Sequence, residues 1–477
     1  MKRHSGVLMH VSSLPCRYGC GSFGKSAYDF IDFLVKGGFS IWQVLPFSVP
    51  DEYGSPYKAI SAFAGNPYFI DLDLLCTKGL LSLCELDGAL QDQPYLCDFE
   101  RLSKERVELL RKASKRVSAE ERVRINDFVC SNPNHDNYCV YMALKSANGG
   151  KDWREFEESV TPDPEEIFMH RFIQHEFYEQ WMRLKAYANE RGISVIGDMP
   201  IYVDTDSADL YFNQKCFQLD KSGRPERVAG VPPDYFSPDG QLWGNPLYDW
   251  DYMKKEGYTW WLERIKWQLT LFDGIRIDHF RAFSEYFSVG ADEPTAINGK
   301  WRKGPGLSFV NKLKEAVPDK LIIAEDLGDI DEKVVTLLKK SALPGMRVFQ
   351  FAFLGKDTPH MPHNYPENCV AYSGTHDNNT LLGYLWELDD ATRAYMLDYC
   401  NHRDDWKSGT LSIMKKLLSS HACRVIFPIQ DILGYGSDTR MNRPGVAKGN
   451  WQYRVTEDQL KSVDLDLWKR LNKMYGR

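Results

Sequence analysis

Acidic side chains stand at the carboxyl ends of four apolar, strand-like segments of the 477-residue chain. They are Asp198 in ISVIGDMPIYV, Asp278 in FDGIRIDHF, Glu325 in KLIIAEDLG and Asp377 in NCVAYSGTHD. Carboxyl groups that crowd together have pKa values that are pushed apart, so one can keep its proton while another stays ionised. A nucleophilic carboxylate beside a protonated carboxylic acid is the arrangement that cleaves a glycosidic bond with retention of configuration.

Two of these acids have neighbours that predict different roles for them. Side chains alternate between the two faces of a strand, so Arg276 and Asp278 point the same way, and Arg276 can keep Asp278 ionised. Glu325 follows an uninterrupted apolar run and is therefore the better candidate for a raised pKa and the acid role. A Mg²⁺-type site is the alternative interpretation of clustered acids. We expect neither a metal nor a cofactor, because Arg276 would oppose a cation and no phosphate-binding glycine loop is visible.

Eight strand-like segments, most of them separated by amphipathic helical segments, could carry these residues. They are Val7–Val11, Ser40–Phe47, Ile193–Val203, Phe272–Phe280, Lys320–Gly328, Gly345–Phe353, Asn368–Asp377 and Cys423–Leu433. The pattern predicts an α/β fold, a closed (β/α)8 TIM barrel that forms a single domain over residues 1–477. In such a barrel the carboxyl ends of the strands converge on one opening, where the acids would meet. An open, doubly wound sheet is the alternative fold.

Two stretches exceed what a minimal barrel needs. The long separation between the second and third segments predicts a mostly helical insertion over residues 70–165. Residues 206–250 are rich in glycine, proline and aromatic side chains and show little periodicity. Because this stretch follows the third strand, we expect a loop insertion over the active-site face.

Composition excludes several classes of protein. Lys and Arg number 59 and Asp and Glu 66, and a net charge of −7 argues against binding to nucleic acid. No apolar run approaches the roughly 20 residues that span a bilayer, and the N-terminus lacks a signal-peptide pattern. We therefore expect a cytoplasmic protein without a membrane partner. The sequence does not indicate an oligomeric state.

A glycine motif near the N-terminus raises the question of a dinucleotide site. Gly19, Gly21 and Gly24 fit the GxGxxG pattern between a strand and a helix. The dinucleotide fingerprint also requires an acidic residue about 20 positions further on, near the end of the next strand. That position reads Val44–Phe47, so a tight turn between strand and helix explains the glycines better.

Several longer motifs together resemble one known family. They are SSLPCRYGCGSFG, SPYKAISAFAGNPYFIDL, GDMPIYV, GQLWGNPLYDW, GIRIDHFR, AEDLG, SGTHDN and RMNRPGVAKGNWQYR. From His10 to about Trp451 the chain resembles the 4-α-glucanotransferases (amylomaltases or disproportionating enzymes), which form glycoside hydrolase family 77 of the α-amylase clan. The resemblance implies a retaining enzyme that transfers part of an α-1,4-glucan to the 4-hydroxyl of another glucan or of glucose.

The resemblance also implies roles for individual residues. Asp278 would be the nucleophile, Glu325 the general acid/base and Asp377 the stabiliser of the transition state. The residues that would bind maltooligosaccharides or longer α-1,4-glucans are Tyr57, Asp198, Arg276, His279, His376, Trp243, Asn245, Asn450 and Trp451. In FSVPDEYGSPY the family's outer tyrosine falls on Glu52, with Tyr53 displaced by one position, so no stacking role is carried over there.

Two alternative functions remain open at this point. Hydrolysis of α-1,4-glucans uses the same three acids, and the outcome depends on whether sugar or water reaches the intermediate. A barrel that binds glucans without catalysis is the second alternative, although the presence of all three acids argues against it.

Overall fold

A computed structural model describes residues 2–51, 53–233, 237–355, 358–403 and 406–477. Glu52, at which the sequence departs from the family pattern, lies outside the described residues. The strands of the described chain are β1 (His4–Leu8), β2 (Ile41–Gln43), β3 (Ser194–Met199), β4 (Arg227–Val231), β5 (Gln241–Pro246), β6 (Gly274–Ile277), β7 (Glu285–Gly290), β8 (Lys300–Lys303), β9 (Leu321–Ala324), β10 (Gly345–Val348), β11 (Cys369–Tyr372) and β12 (Arg424–Pro428).

Eight of these strands form a closed parallel barrel. Their order around the barrel is β1, β12, β11, β10, β9, β6, β3 and β2. The ring closes because β1 pairs in parallel with both β2 and β12, with Leu8 opposite Gln43 on one side and Pro428 on the other. This confirms the predicted TIM barrel and excludes the open sheet. Seven of the barrel strands lie within their predicted segments, and most of them are several residues shorter than predicted. Strand β1 instead begins three residues before the predicted Val7–Val11 and overlaps it only at Val7 and Leu8.

Helices connect the barrel strands and cover the barrel. They are α1 (Lys25–Lys36), α2 (Leu72–Thr77), α3 (Leu83–Leu86), α4 (Phe99–Ser114), α5 (Ala119–Cys130), α6 (Pro133–Ala147), α7 (Pro164–Glu190), α8 (Ala208–Phe212), α9 (Trp250–Lys255), α10 (Thr259–Leu271), α11 (Gly306–Ala316), α12 (Glu332–Ser341), α13 (Leu381–Glu387), α14 (Asp390–Tyr399), α15 (Trp406–Ser419), α16 (Ile429–Leu433), α17 (Glu457–Lys461) and α18 (Leu465–Met474). Within the described chain, none of them is both long and apolar enough to span a bilayer.

Helix α7 shows how the sequence specifies these elements. Asp163 caps its N-terminus by accepting a hydrogen bond from the Glu165 amide, and Pro164 occupies the first turn, where a missing N–H costs nothing. The helix buries Trp181, whose ring contacts Phe47 at 4.7 Å and Phe272 at 5.7 Å. Phe47 follows β2 and Phe272 precedes β6, so this aromatic core fixes the helix against β2 and against β6, the strand that leads to Asp278.

The two stretches beyond a minimal barrel have distinct structures. Helices α2 to α6 lie between β2 and β3, within the predicted insertion over residues 70–165. Residues 206–250 contain α8, β4 and β5, so this stretch is more regular than the predicted loop. Strands β4 and β5 join β7 and β8 in an antiparallel sheet of order β5, β4, β7, β8. Strand β5 is largely unburied on both faces, which explains why its sequence lacks the alternation that predicts a strand.

Candidate active site

Three of the predicted acids lie side by side because their strands are neighbours. Asp198 on β3 is in register with Arg276 on β6, and Ile277 on β6 is in register with Ala324 on β9. Beyond the strand ends, the Asp278 amide donates to the Met199 carbonyl at 3.0 Å and the Glu325 amide to the Ile277 carbonyl at 3.1 Å. Backbone pairing therefore brings these acids to the carboxyl-terminal mouth of the barrel.

The guanidinium of Arg276 bridges two of the acids. Nη1 donates to both carboxylate oxygens of Asp198 at 2.8 Å, and Nη2 lies 3.0 Å from Oδ1 of Asp278. Asp198 also accepts a hydrogen bond of 2.7 Å from the Tyr57 hydroxyl. The side chain of Arg276 is only 4% exposed, whereas that of Asp278 is 26% exposed. Asp278 is thus held by a buried cation while its carboxylate remains accessible.

Glu325 is held by backbone amides. Its Oε2 accepts a hydrogen bond of 2.7 Å from the His279 amide, and its Oε1 accepts one of 2.9 Å from the Leu327 amide. His279 has a left-handed backbone with φ of 46°, an uncommon conformation for a residue other than glycine. Strain of this kind is characteristic of functional sites, and here it belongs to the turn that carries an amide to Glu325.

The environments of Asp278 and Glu325 give the two carboxyl groups different pKa values. Burial raises the pKa of Asp278, but Arg276 pairs with it directly and opposes this rise. Burial also raises the pKa of Glu325, and the rise is larger than that of Asp278. The charge of Asp278 adds to the rise at Glu325, whereas Arg276 and the two backbone amides oppose it. Because the two carboxyls are coupled, the first proton lost leaves Asp278 ionised and Glu325 protonated. This order matches a nucleophile beside a general acid.

Asp377 reaches the same mouth from the loop after β11. Its Oδ1 accepts a hydrogen bond of 2.6 Å from Nδ2 of Asn442, and its Oδ2 lies 3.4 Å from Nε2 of His376. The Asp377 side chain is 45% exposed. Burial lowers the pKa of His376, so this imidazole is neutral near pH 7. Asp377 therefore presents an accessible carboxylate that lies beside His376 and is held by a hydrogen bond from Asn442.

Aromatic rings line one side of the mouth. The ring of Tyr57 stacks on that of His376 with centroids 5.1 Å apart and planes inclined by 19°. Trp451 contacts both rings, at 5.5 Å from Tyr57 and 5.8 Å from His376. Flat apolar faces of this kind suit the faces of a pyranose ring.

Strand β5 brings a further aromatic side chain to the site. Trp243 packs edge-to-face against His279, with ring centroids 4.9 Å apart. Asn245 on the same strand donates a hydrogen bond of 2.8 Å to the Val203 carbonyl, in the segment that follows β3. Burial lowers the pKa of His279 to about 3, so its ring is neutral near pH 7. The small antiparallel sheet thus contacts the residue whose amide holds Glu325.

The side chain of Asn450 forms hydrogen bonds with the backbone of its own loop. Its Oδ1 accepts from the Arg443 amide at 3.0 Å, and its Nδ2 donates to the Val446 carbonyl at 2.6 Å and to the Arg443 carbonyl at 3.4 Å. These contacts organise the loop that leads to Trp451. A sugar contact by Asn450 stays a prediction.

Two side chains near Asp377 received no role from the sequence. Arg440 donates from Nη2 to the Asp377 carbonyl at 2.6 Å, and Asn442 contacts the Asp377 carboxylate. Both belong to the segment RMNRPG, so the family motif was the available signal. Neither is acidic and neither ends a strand, so the pattern of acids at strand ends does not indicate them.

A third overlooked residue supports the loop that carries Asp377. The fully buried carboxylate of Asp431 accepts from the Ser373 hydroxyl at 2.5 Å and from the Leu381 amide at 2.7 Å. These two partners flank residues 374–380, so one carboxylate ties both ends of the loop. Burial raises the pKa of Asp431 to about 6. The signal in the sequence was an acid inside the eighth segment, Cys423–Leu433.

Among the described residues, His175, Glu176 and Glu179 on α7 lie close enough to one another to hold a metal ion. However, Nζ of Lys78 lies 2.7 Å from Glu176 and 2.6 Å from Glu179, so a protein cation already pairs with both acids. The group is on a helix outside the barrel mouth. It therefore does not support the metal alternative for the acids at the barrel mouth.

Comparison with known proteins identifies the family. The model of glycoside hydrolase family 77, described as 4-alpha-glucanotransferase, matches residues 9–460. The chain is 43% identical to a 4-alpha-glucanotransferase of Streptococcus pneumoniae, over 96% of this chain and 94% of that protein. It is 40% identical to a 4-alpha-glucanotransferase of Clostridium butyricum, over 98% of this chain and all of that one.

A solved structure agrees with these sequence matches. The amylomaltase from Streptococcus agalactiae, in complex with acarbose, superposes over the full length of both chains with a TM-score of 0.96 at 37% identity. The chain therefore belongs to glycoside hydrolase family 77, the 4-alpha-glucanotransferases, which confirms the family and the enzyme class that the sequence predicts.

Proposed function

We propose that the protein is a retaining 4-α-glucanotransferase that acts on α-1,4-glucans through a covalent glucosyl-enzyme. The observation that carries this proposal is the pairing of Arg276 with an accessible Asp278 beside the buried Glu325. An ionised nucleophile next to a protonated acid is what the first step requires. The acarbose complex of the S. agalactiae amylomaltase supports a glucan-like ligand for the same fold.

In the first step a carboxylate oxygen of Asp278 attacks C1 of a glucosyl unit. The bond from C1 to the 4-oxygen of the neighbouring unit breaks, and the proton of Glu325 passes to that oxygen. The reducing-side glucan leaves, and a β-linked glucosyl ester remains on Asp278. Burial of Glu325 favours this step because the proton is still present near neutral pH.

In the second step the 4-hydroxyl of another glucan attacks C1 of the ester. Glu325, now ionised, takes the proton of this hydroxyl, and the bond from C1 to Asp278 breaks. Two inversions at C1 leave the α-configuration unchanged. Asp377 would accept hydrogen bonds from hydroxyls of the distorted sugar ring, and these bonds would be stronger in the transition state than in the ground state.

The remaining residues would bind the sugar units. Tyr57, His376 and Trp451 offer aromatic faces, and Asp198 offers a carboxylate that Tyr57 and Arg276 orient. His279 and Trp243 would contact the glucan on the side of β5, which Asn245 ties to the barrel. Trp243 and the other described residues of 206–250 would shield the ester from water, which favours transfer over hydrolysis.

The experiment that tests this proposal follows maltotriose over time. A transferase converts maltotriose to glucose and longer chains while the total number of reducing ends stays constant. A hydrolase raises the number of reducing ends with each turnover. A steady rise that accounts for most of the cleaved bonds would replace the proposed transfer with hydrolysis.

A further inference from the structure

The carboxylate of Asp377 is partly exposed and is contacted by few neighbouring side chains. Its side chain is 45% exposed and lies on a loop rather than on a strand. One oxygen is 3.4 Å from His376, which is longer than a good hydrogen bond, and the other accepts a bond of 2.6 Å from Asn442. The contact with Asn442 is therefore the shorter and better defined of the two.

The backbone of Asn442 is itself fixed against the loop of Asp377. Its amide donates to the His376 carbonyl at 3.1 Å, and its carbonyl accepts from Nε of Arg440 at 2.7 Å. Arg440 then donates from Nη2 to the Asp377 carbonyl at 2.6 Å. The backbone of Asn442 is thus bonded to His376 and Arg440, which both also contact Asp377. The Asn442 side chain therefore has little freedom to move away from the carboxylate.

We propose that Asn442 is a positioning residue that sets the orientation of the Asp377 carboxylate for the sugar ring. The proposal rests on the role of Asp377 given above. A carboxylate offers about four lone-pair sites, so one amide donor fixes its rotation and leaves sites free for sugar hydroxyls. The amide is neutral and leaves the negative charge of Asp377 in place, whereas a lysine or arginine at this position would neutralise it.

Asn442→Ala tests whether the amide acts through Asp377 or binds the sugar itself. We expect kcat to fall about 10- to 100-fold because a misoriented group loses transition-state contacts, while KM changes little. A rise in KM at constant kcat would overturn the proposal, since it would indicate uniform binding of the glucan by Asn442. An unchanged kcat and KM would overturn it as well.

Asn442→Asp tests the contact without removing atoms. The introduced carboxylate faces that of Asp377 in place of the amide, and two adjacent carboxylates raise one of their pKa values. While the pair holds one proton, an O–H replaces the N–H donor and activity is retained. As pH rises through the raised pKa, both groups become ionised and repel each other, and activity is lost. We expect the alkaline limb of kcat to move to lower pH than in the wild type.

Two controls make the result specific. Asn368 lies at the opposite end of β11 and donates a single bond of 3.1 Å to the Ala342 carbonyl, so Asn368→Asp should leave the pH profile unchanged. A wild-type profile for Asn442→Asp would overturn the proposal even if Asn442→Ala failed to fold. Asp377→Asn is measured in parallel: wild-type turnover there would remove the assumed role of Asp377, independently of the result for Asn442.

Discussion

Nη2 of Arg276 lies 3.0 Å from Oδ1 of Asp278, and Nη1 of the same guanidinium contacts both oxygens of Asp198. One buried cation therefore serves two carboxylates, of which Asp278 is accessible and Asp198 is not. Removing Asp278 from water raises its pKa, and this ion pair opposes the effect. Asp278 can thus lie in a largely buried site and still be ionised, as its proposed role as nucleophile requires.

Because Arg276 contacts both Asp198 and Asp278, we predict that Arg276→Lys lowers activity strongly although it conserves charge. A lysine presents one compact ammonium and cannot reproduce the planar fork that contacts both acids. With weaker pairing the pKa of Asp278 rises, so the ionised nucleophile appears only at higher pH. We expect kcat/KM to fall at least about 100-fold at neutral pH and the acid limb of its pH profile to move to higher pH.

The matched control for this change is Arg302→Lys on the exposed strand β8, which should leave the profile unchanged. A variant at Arg276 that kept the wild-type acid limb would show that Asp278 does not depend on this pairing.

The environment of Glu325 predicts where activity ends at high pH. Burial raises the pKa of Glu325, so this carboxyl is protonated below the raised value and loses its proton as pH rises through it. The first step needs this proton, and activity therefore declines with rising pH well above the range of an ordinary carboxyl. We expect the alkaline limb of kcat/KM for maltotriose to reflect this pKa, and an alkaline limb near pH 5 would contradict the assignment.

Asp431 predicts a link between stability and activity. Asp431→Ala leaves the Ser373 hydroxyl and the Leu381 amide without the carboxylate that ties both ends of the Asp377 loop. Buried donors that lose a partner cost about 1–3 kcal/mol, so we expect the free energy of unfolding to fall by that amount. Urea unfolding measures this, and kcat should fall as well because the loop carries Asp377.

The exposed Asp92 serves as a control, since Asp92→Ala should change neither quantity. Full activity in a clearly destabilised Asp431→Ala variant would show that the position of Asp377 does not depend on the two hydrogen bonds of Asp431.

The sequence alone predicts the eight barrel strands and the convergence of the acids, because one geometric rule brings the ends of parallel strands together. The strand ends are less predictable. Phe280 and Phe349 continue the apolar pattern of their segments, yet both lie in short 3-10 turns after the strands, where they are buried as they would be in a strand. Burial alone therefore does not distinguish a strand from the turn that follows it.

The supporting contacts of the site could not be predicted in the same way. Asn442 lies 65 positions from Asp377 and Asp431 lies 58 positions from Ser373, and no local pattern links such pairs. Their side chains meet only because β11 and β12 are neighbours in the barrel. Strands β4 and β5 were overlooked because their sheet lies outside the barrel and β5 lacks a buried face.

The most direct test of the account traps the glucosyl-enzyme on Glu325→Gln with α-maltosyl fluoride. Fluoride leaves without a proton, so the first step proceeds, and the loss of the base slows the second step and lets the ester accumulate. Mass spectrometry of peptides from the quenched enzyme then locates the sugar. We predict a single maltosyl adduct on the peptide that contains Asp278, absent when Asp278→Asn is combined with Glu325→Gln. An adduct on another residue, or fluoride release with no adduct at all, would contradict the proposed nucleophile.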